Sequence, residues 1–209
     1  MAISAVITAD IVNSTLFTNA EEKRFKDRVN SVLKPNRFEF YRGDSFQVFI
    51  KDPHEALRMV LMVRTEARKI ALQYDVRCSI GIGEVNPYIK KLSTATDAAF
   101  VLSGRSFDAL ESSGQRLSIS SPDPTVNHGL NAISYFLDYL IRNLTEKQAE
   151  VIGELLQDNT QTEAAKKLRR SASTVSKHAQ AAGWHEILKI FTEYDHLISI
   201  LINGNHLAD

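Results

Sequence analysis

The sequence has a single cysteine, Cys78, among 209 residues. No internal disulfide can form, which fits a reducing compartment, and the alternating apolar neighbours of Cys78 mark a buried strand position rather than a nucleophile. Net charge is also missing: 25 Lys and Arg balance 25 Asp and Glu. That excludes a general attraction for nucleic acid, so any basic surface must be local. No apolar run is long enough to cross a bilayer. The N-terminal "AISAVITADIV" is interrupted by Asp10 and has neither a basic flank nor a cleavage-like end. It reads as a first strand, and the expected location is the cytoplasm, with no membrane partner. Repeats, low-complexity tracts and a phosphate-binding glycine loop are absent, as is a serine–histidine–acid set that spacing could support. His54, His128, His178, His185, His196 and His206 show no metal-ligand spacing.

What is present is an ordinary globular composition, 44% apolar and 24% charged, at a length that allows one domain plus a smaller one. Residues 3 to 12 form a β-branched apolar run, and a helix is expected from about Thr15 to Leu33, closed by Pro35. "YRGDSFQVFI", residues 41–50, places Gly43 and Asp44 between two strand-like runs, the pattern of a tight hairpin. From Pro53 to about Leu72 the pattern is helical, with Ala56, Val60, Val63, Ala67 and Ile70 on one face. "VRCSIGIGEV" then sets Val76, Cys78, Ile80 and Ile82 against small residues, a strand signal. A helix at about Thr94–Glu111 and a last strand at "RLSIS" complete the first half. This order predicts an α+β fold with helices on one face of a largely antiparallel sheet. The turn-rich "SSPDPTVNHG" divides a domain at 1–122 from an all-helical one at 123–209.

The helical half holds the most informative stretch, "LTEKQAEVIGELLQDNTQTEAAKKLRRSASTVSKHAQAAG". Thr145 with Gln148 and Thr160 with Glu163 each fit a capping box, and Ser171 is placed to cap a third helix reaching about Ala182. Two short helices after a supporting one make a helix-turn-helix. With Val175 and Ala179 turned inward, the third helix offers Ser173, Thr174, Ser176, Lys177 and Gln180 to base edges or phosphates. From Ala164 to Trp184 there are five basic residues (Lys166, Lys167, Arg169, Arg170, Lys177) and no acidic one, the local cationic face that phosphate binding needs. A three-helix packing module with solvated charges is the alternative. Arg169 and Arg170 stand in a turn where glycine and an apolar residue are more usual. Residues Leu144 to Gly183 resemble the fourth region of sigma factors and related small bacterial regulators, which implies double-stranded DNA as a partner. The last helix lines up Trp184, Ile187, Leu188, Phe191, Tyr194, Ile198 and Leu201, either as core or as a homodimer seam.

In the first half, Asp10 ends one strand and Asp44 opens another, so neighbouring strands would bring two carboxylates to one sheet end. Paired carboxylates suit Mg²⁺, while aspartate is equally at home in turns. "ITADIVNST", "YRGDSFQVF" and "VRCSIGIGEV", in that order, resemble the strands of class III nucleotidyl cyclases. The resemblance implies a ferredoxin-like, cyclase-like sheet domain and Mg²⁺ or Mn²⁺ held with a nucleotide by Asp10, Asp44 and the Ile11 carbonyl. It also places the family's purine-selecting lysine at Phe40, its transition-state asparagine at Asp108 and its later arginine at Ser112. Those departures argue against efficient cyclisation. Over almost the whole chain the sequence resembles the SatD family, whose motifs fall on Arg42–Gln47, Ile80–Gly83, Gly104–Phe107 and Leu144–Glu150.

Three readings follow. In one, a transcriptional regulator senses a nucleotide through the first domain, with Arg42, Gly43 and Arg105 as binding groups. In another, the chain is an active nucleotidyl-transfer enzyme in which Arg42, Arg105 and Lys90 or Lys91 replace the missing cations. In the third, the first domain only dimerises a DNA-binding protein.

Overall fold

The computed structural model describes residues 2–41, 43–86 and 88–205. Among them are five strands in one sheet and eight α-helices. The apolar N-terminal run builds β1 (Ala2–Val12), the central strand. β2 (Arg37–Tyr41), β3 (Ser45–Ile50), β4 (Asp75–Val85) and β5 (Leu117–Ser120) complete the sheet in the order β2-β3-β1-β4-β5. Only the β4–β5 pairing is parallel. α1 (Asn19–Leu33) follows β1 and α2 (Glu55–Arg68) follows β3, so the first four strands form a split β-α-β arrangement.

Helix starts follow side-chain chemistry. α1 begins at the Thr18–Glu21 capping box, later than expected, because Asn13 turns left-handed (φ 61°) and Ser14–Leu16 form a 3₁₀ turn. The strand period of two separates the sheet's faces. Ala5, Ile7, Ala9 and Ile11 of β1 join Phe46, Val48 and Ile50 of β3 and Val76, Cys78, Ile80 and Ile82 of β4 in the main core, beneath α1 and α2.

The other face corrects an expectation. α3 (Ala98–Ser113) lies there, opposite α1 and α2, so helices cover both faces. The small residues of "VRCSIGIGEV" are its seat: Ser79 Oγ donates to the Ser103 carbonyl at 2.7 Å, and Gly81 lies against the backbone of Ala99 and Ser103. A methyl at Gly81 would overlap both, so only glycine lets the helix come this close. α3 covers β4 and β5 and leaves part of the β1–β3–β2 surface open.

The expected boundary at 122/123 coincides with the turn before α4 (Pro124–Arg142), where Asp123 caps the helix. One apolar core nevertheless runs across it. α4 packs on β5 and on α8 (Trp184–Asn205), and α5 (Glu146–Leu155) packs on α2. α6 (Gln161–Lys167) and α7 (Ala172–Ala181) complete a three-helix unit with α5. α2 is therefore covered on nearly every side, and even Arg64, Thr65, Glu66 and Arg68 are buried. Most of the α8 stripe turns inward: Ile187, Tyr194, Ile198 and Leu201 are buried, while Leu188 and Ile200 stay exposed.

Candidate functional site

The β1–β3 register sets Asp10 opposite Ser45, and the Ile11 amide donates to the Asp44 carbonyl at 3.2 Å. Asp10, Ile11 and Asp44 thus meet at one end of the sheet. Gly43 makes the preceding turn with φ 82°, a conformation open to glycine. Arg42 lies outside the described residues. Arg105 is exposed on α3, and Lys90 and Lys91 are exposed before it. None of these three cations lines a hollow near the aspartates.

Asp10 is already engaged. Arg77, its cross-strand neighbour on β4, donates Nε to Oδ1 at 3.1 Å and Nη2 to Oδ2 at 2.6 Å. The hydrogen bond to Asp10 raises the guanidinium above its ordinary pKa. Phe107 of α3 lies beneath the same guanidinium, with its ring centroid at 5.4 Å. Asp44 Oδ2 accepts a hydrogen bond from the Ser14 hydroxyl at 2.7 Å. Ile11 buries its side chain in the core. In this arrangement the three groups do not fit Mg²⁺ or Mn²⁺: a guanidinium takes both oxygens of one carboxylate, and the other carboxylate accepts from Ser14. Among the described residues no three acidic, cysteine or histidine side chains gather around a common point.

Beside this corner the open sheet face forms a groove of about 510 Å³, lined by Thr8, Tyr41, Ser45, Gln47, Gly104 and Phe107, among others. Gln47 donates Nε2 to Thr8 Oγ1 at 3.2 Å, while its buried Oε1 has no hydrogen-bond partner. The groove thus combines hydroxyls, an unmet acceptor and two aromatic rings, those of Tyr41 and Phe107. Asp108 lies at its rim, and Ser112 is exposed further along α3.

In the helical half all three caps form as the side chains dictate. Thr145 pairs with Gln148 and Thr160 with Glu163 in reciprocal boxes, and Ser171 Oγ accepts from the Thr174 amide at 3.1 Å. The backbone bond from Thr160 holds the Glu163 carboxyl below its usual range. α7 buries Val175 and Ala179, half-buries Thr174, and exposes Ser173, Ser176, Lys177 and Gln180. Lys166, Lys167 and Arg169 are exposed beside it. Arg169 takes the left-handed position of the α6–α7 turn with φ 53°, which explains why glycine is usual there. Arg170 is half-buried, unlike the other cations, and is ion-paired with Glu150 of α5. Lys167 is 3.4 Å from Glu154 of the same helix.

Two groups escaped sequence reasoning. Arg77 sits in "VRCSIGIGEV" itself, on the polar side of the strand, and becomes significant only once β4 is known to lie beside β1. Arg64 and Asp75 form a buried ion pair between α2 and β4. Its signal was an arginine four residues after Val60, within an apolar stripe.

No family model matches the chain, and no curated protein matches it. Among solved structures it is similar to a bacterial light-regulated adenylyl cyclase, with 14% identity and a TM-score of 0.37 over 57% of this chain and 43% of that one. The chain thus spans less than half of that protein's length.

Proposed function

We propose that the chain is a DNA-binding transcriptional regulator whose helix-turn-helix, α5 to α7, reads the major groove with α7. The observation that carries this reading is the division of α7. Val175 and Ala179 fix the helix to its support, while Ser173, Ser176, Lys177 and Gln180 are exposed on the opposite side. Lys166, Lys167 and Arg169 flank them, with no acidic residue between Ala164 and Trp184. Amide and hydroxyl groups read base edges, and lysines and arginines neutralise phosphates. On this reading Arg170 is a positioning residue that ties the turn to α5 through Glu150.

The sheet domain serves as the sensor. Its split β-α-β order supports a ferredoxin-like, cyclase-like ancestry, and the groove beside Gln47 is within the size range of small-ligand sites. A nucleotide or similar planar anion is the ligand class this reading assigns. Asp108 and Ser112 at the positions implied for catalytic groups, and Asp10 paired with Arg77, speak against turnover. The sensor is not remote from the reader, since α5 packs directly on α2.

The test is a selection of duplexes from random DNA by the full chain, followed by fluorescence anisotropy on the enriched sequences. A recovered motif whose preference relaxes in Gln180→Ala supports the proposal. Failure to bind any duplex at low ionic strength would sink it. The sensor role is read separately, from thermal shifts with ATP, GTP and cyclic nucleotides in EDTA.

A further inference from the structure

Asp10 and Arg77 face each other directly across the β1–β4 pair, and their four contacting atoms make a fork-to-fork ion pair. We propose that Arg77 is the resident cation of this sheet end, taking the place beside Asp10 that a divalent ion would need and making the Asp10–Ile11–Asp44 corner refractory to Mg²⁺ and Mn²⁺.

Geometry comes first. A carboxylate bound bidentately by arginine presents no free pair of oxygens, and the planar guanidinium matches it better than a lysine would. The pair is also held in place. Only 22% of the Arg77 side chain and 19% of that of Asp10 reach solvent, and the Phe107 ring lies against the guanidinium. Water therefore screens the contact weakly.

Charge gives the second reason. Asp10 and Arg77 together are neutral, so the corner offers a cation one carboxylate, that of Asp44, which already accepts from Ser14. A divalent ion approaching Asp10 would meet a fixed positive charge that cannot be relieved by deprotonation, since arginine stays ionised. Mg²⁺ sites built on one or two carboxylates need those carboxylates unopposed. The inference is independent of the DNA-reading proposal. Its consequence is that any ligand in the neighbouring groove is held without a bridging metal.

Mn²⁺ alone is the probe, added to the full chain while the electron paramagnetic resonance signal of free Mn²⁺ is followed. Wild type is expected to take up no stoichiometric Mn²⁺. Arg77→Gln, which keeps the stem and an amide donor but removes the charge, is expected to bind one equivalent at least about tenfold more tightly than wild type. Adding Asp10→Asn to that variant should remove the gain, and Arg77→Lys should still exclude the ion. Stoichiometric uptake by wild type that Asp10→Asn abolishes would overturn the proposal. So would an Arg77→Gln protein with native circular dichroism and an unchanged Mn²⁺ response. The wild-type titration decides even if Arg77→Gln does not fold.

Discussion

Arg64 of α2 and Asp75 of β4 meet in a bidentate pair that no solvent reaches, with Nε 2.9 Å from Oδ1 and Nη2 2.8 Å from Oδ2. Burial alone would weaken the Arg64 guanidinium, yet the carboxylates of Asp75 and Asp138 hold it above its ordinary pKa. Burial likewise favours the neutral Asp75, and Arg64 overcomes it and keeps the carboxyl below the usual range. Arg116, just before β5, adds a third contact to Asp75 at 2.9 Å, and its amide donates to Asp138 of α4 at 3.2 Å. Arg68 of α2 donates to the carbonyls of Arg142 and Leu144 at the α4–α5 connection. The same cluster thus joins the sheet, its covering helix and the helical half.

Removing one partner of such a pair leaves the other charged and buried, which costs far more than the pair itself contributes. Asp75→Asn is therefore expected to lower unfolding free energy by about 3–5 kcal/mol. Urea denaturation measures this, and Arg64→Met, which leaves both Asp75 and the buried Asp138 without their shared guanidinium, should cost at least as much. A single-variant loss below about 1 kcal/mol would mean that the pair is not a structural node.

The sign of the pH dependence follows from the depressed Asp75 carboxyl. Its contribution is fully present above its ordinary value of 3.8 and is lost as pH falls through the lower, folded-state value. Wild-type stability should therefore fall with acid below about pH 4, more steeply than that of Asp75→Asn. Equal acid slopes in the two proteins would contradict the assignment. Denaturation midpoints collected across that range provide the comparison.

Gly81→Ala tests how α3 is seated. The added methyl would overlap the Ala99 carbonyl and the Ser103 amide, both backbone atoms that no rotamer change can move. The helix must lift, breaking the Thr8–Ser103 and Ser79–Ser103 hydrogen bonds. A loss of at least about 2 kcal/mol is expected, with greater protease sensitivity in α3. Gly104→Ala, on the open side of the same helix with no atom within 4 Å of an added methyl, is the matched control and should be neutral or stabilising.

What was legible in the sequence was whatever local chemistry decides. The strand period placed Val76, Cys78, Ile80 and Ile82 on one face, and the threonine and serine caps fixed the starts of α5, α6 and α7 to the residue. What was not legible depended on contacts between distant segments. The face taken by α3 rests on Ser79 and Gly81 meeting Ser103, and the burial of Arg64 on two aspartates from β4 and α4. The β1–β3 pairing sets Asp10 and Asp44 at one sheet end, but their carboxylates take different partners, Arg77 and Ser14. Arg77 changes what that corner can do, and it faces Asp10 only because β4 pairs antiparallel with β1.

Burial predicts the behaviour of the lone thiol. Cys78 is 1% exposed, and burial pushes its thiol pKa well above the ordinary value. A disulfide reagent should leave the native protein unmodified at neutral pH and react with one thiol per chain in denaturant. Rapid native labelling would require the β4 core to open far more often than its packing implies.

The five cations around α7 should separate into two classes. Lys177 is exposed on the helix and Arg169 in the turn, so each is placed to neutralise a phosphate. Replacing either by alanine is expected to weaken DNA binding about equally for all sequences and to reduce the slope of log K against log salt by roughly 1. Arg170 is committed to Glu150 instead. Arg170→Ala should leave the salt slope near that of wild type and lower the melting temperature, because the α6–α7 turn loses its tie to α5. The Glu150→Gln variant should reproduce that thermal loss while retaining the arginine. Anisotropy titrations at several salt concentrations, run beside thermal melts, distinguish the two classes. A full unit lost from the slope in Arg170→Ala would place that arginine on the DNA and show that its bond to Glu150 opens when DNA binds.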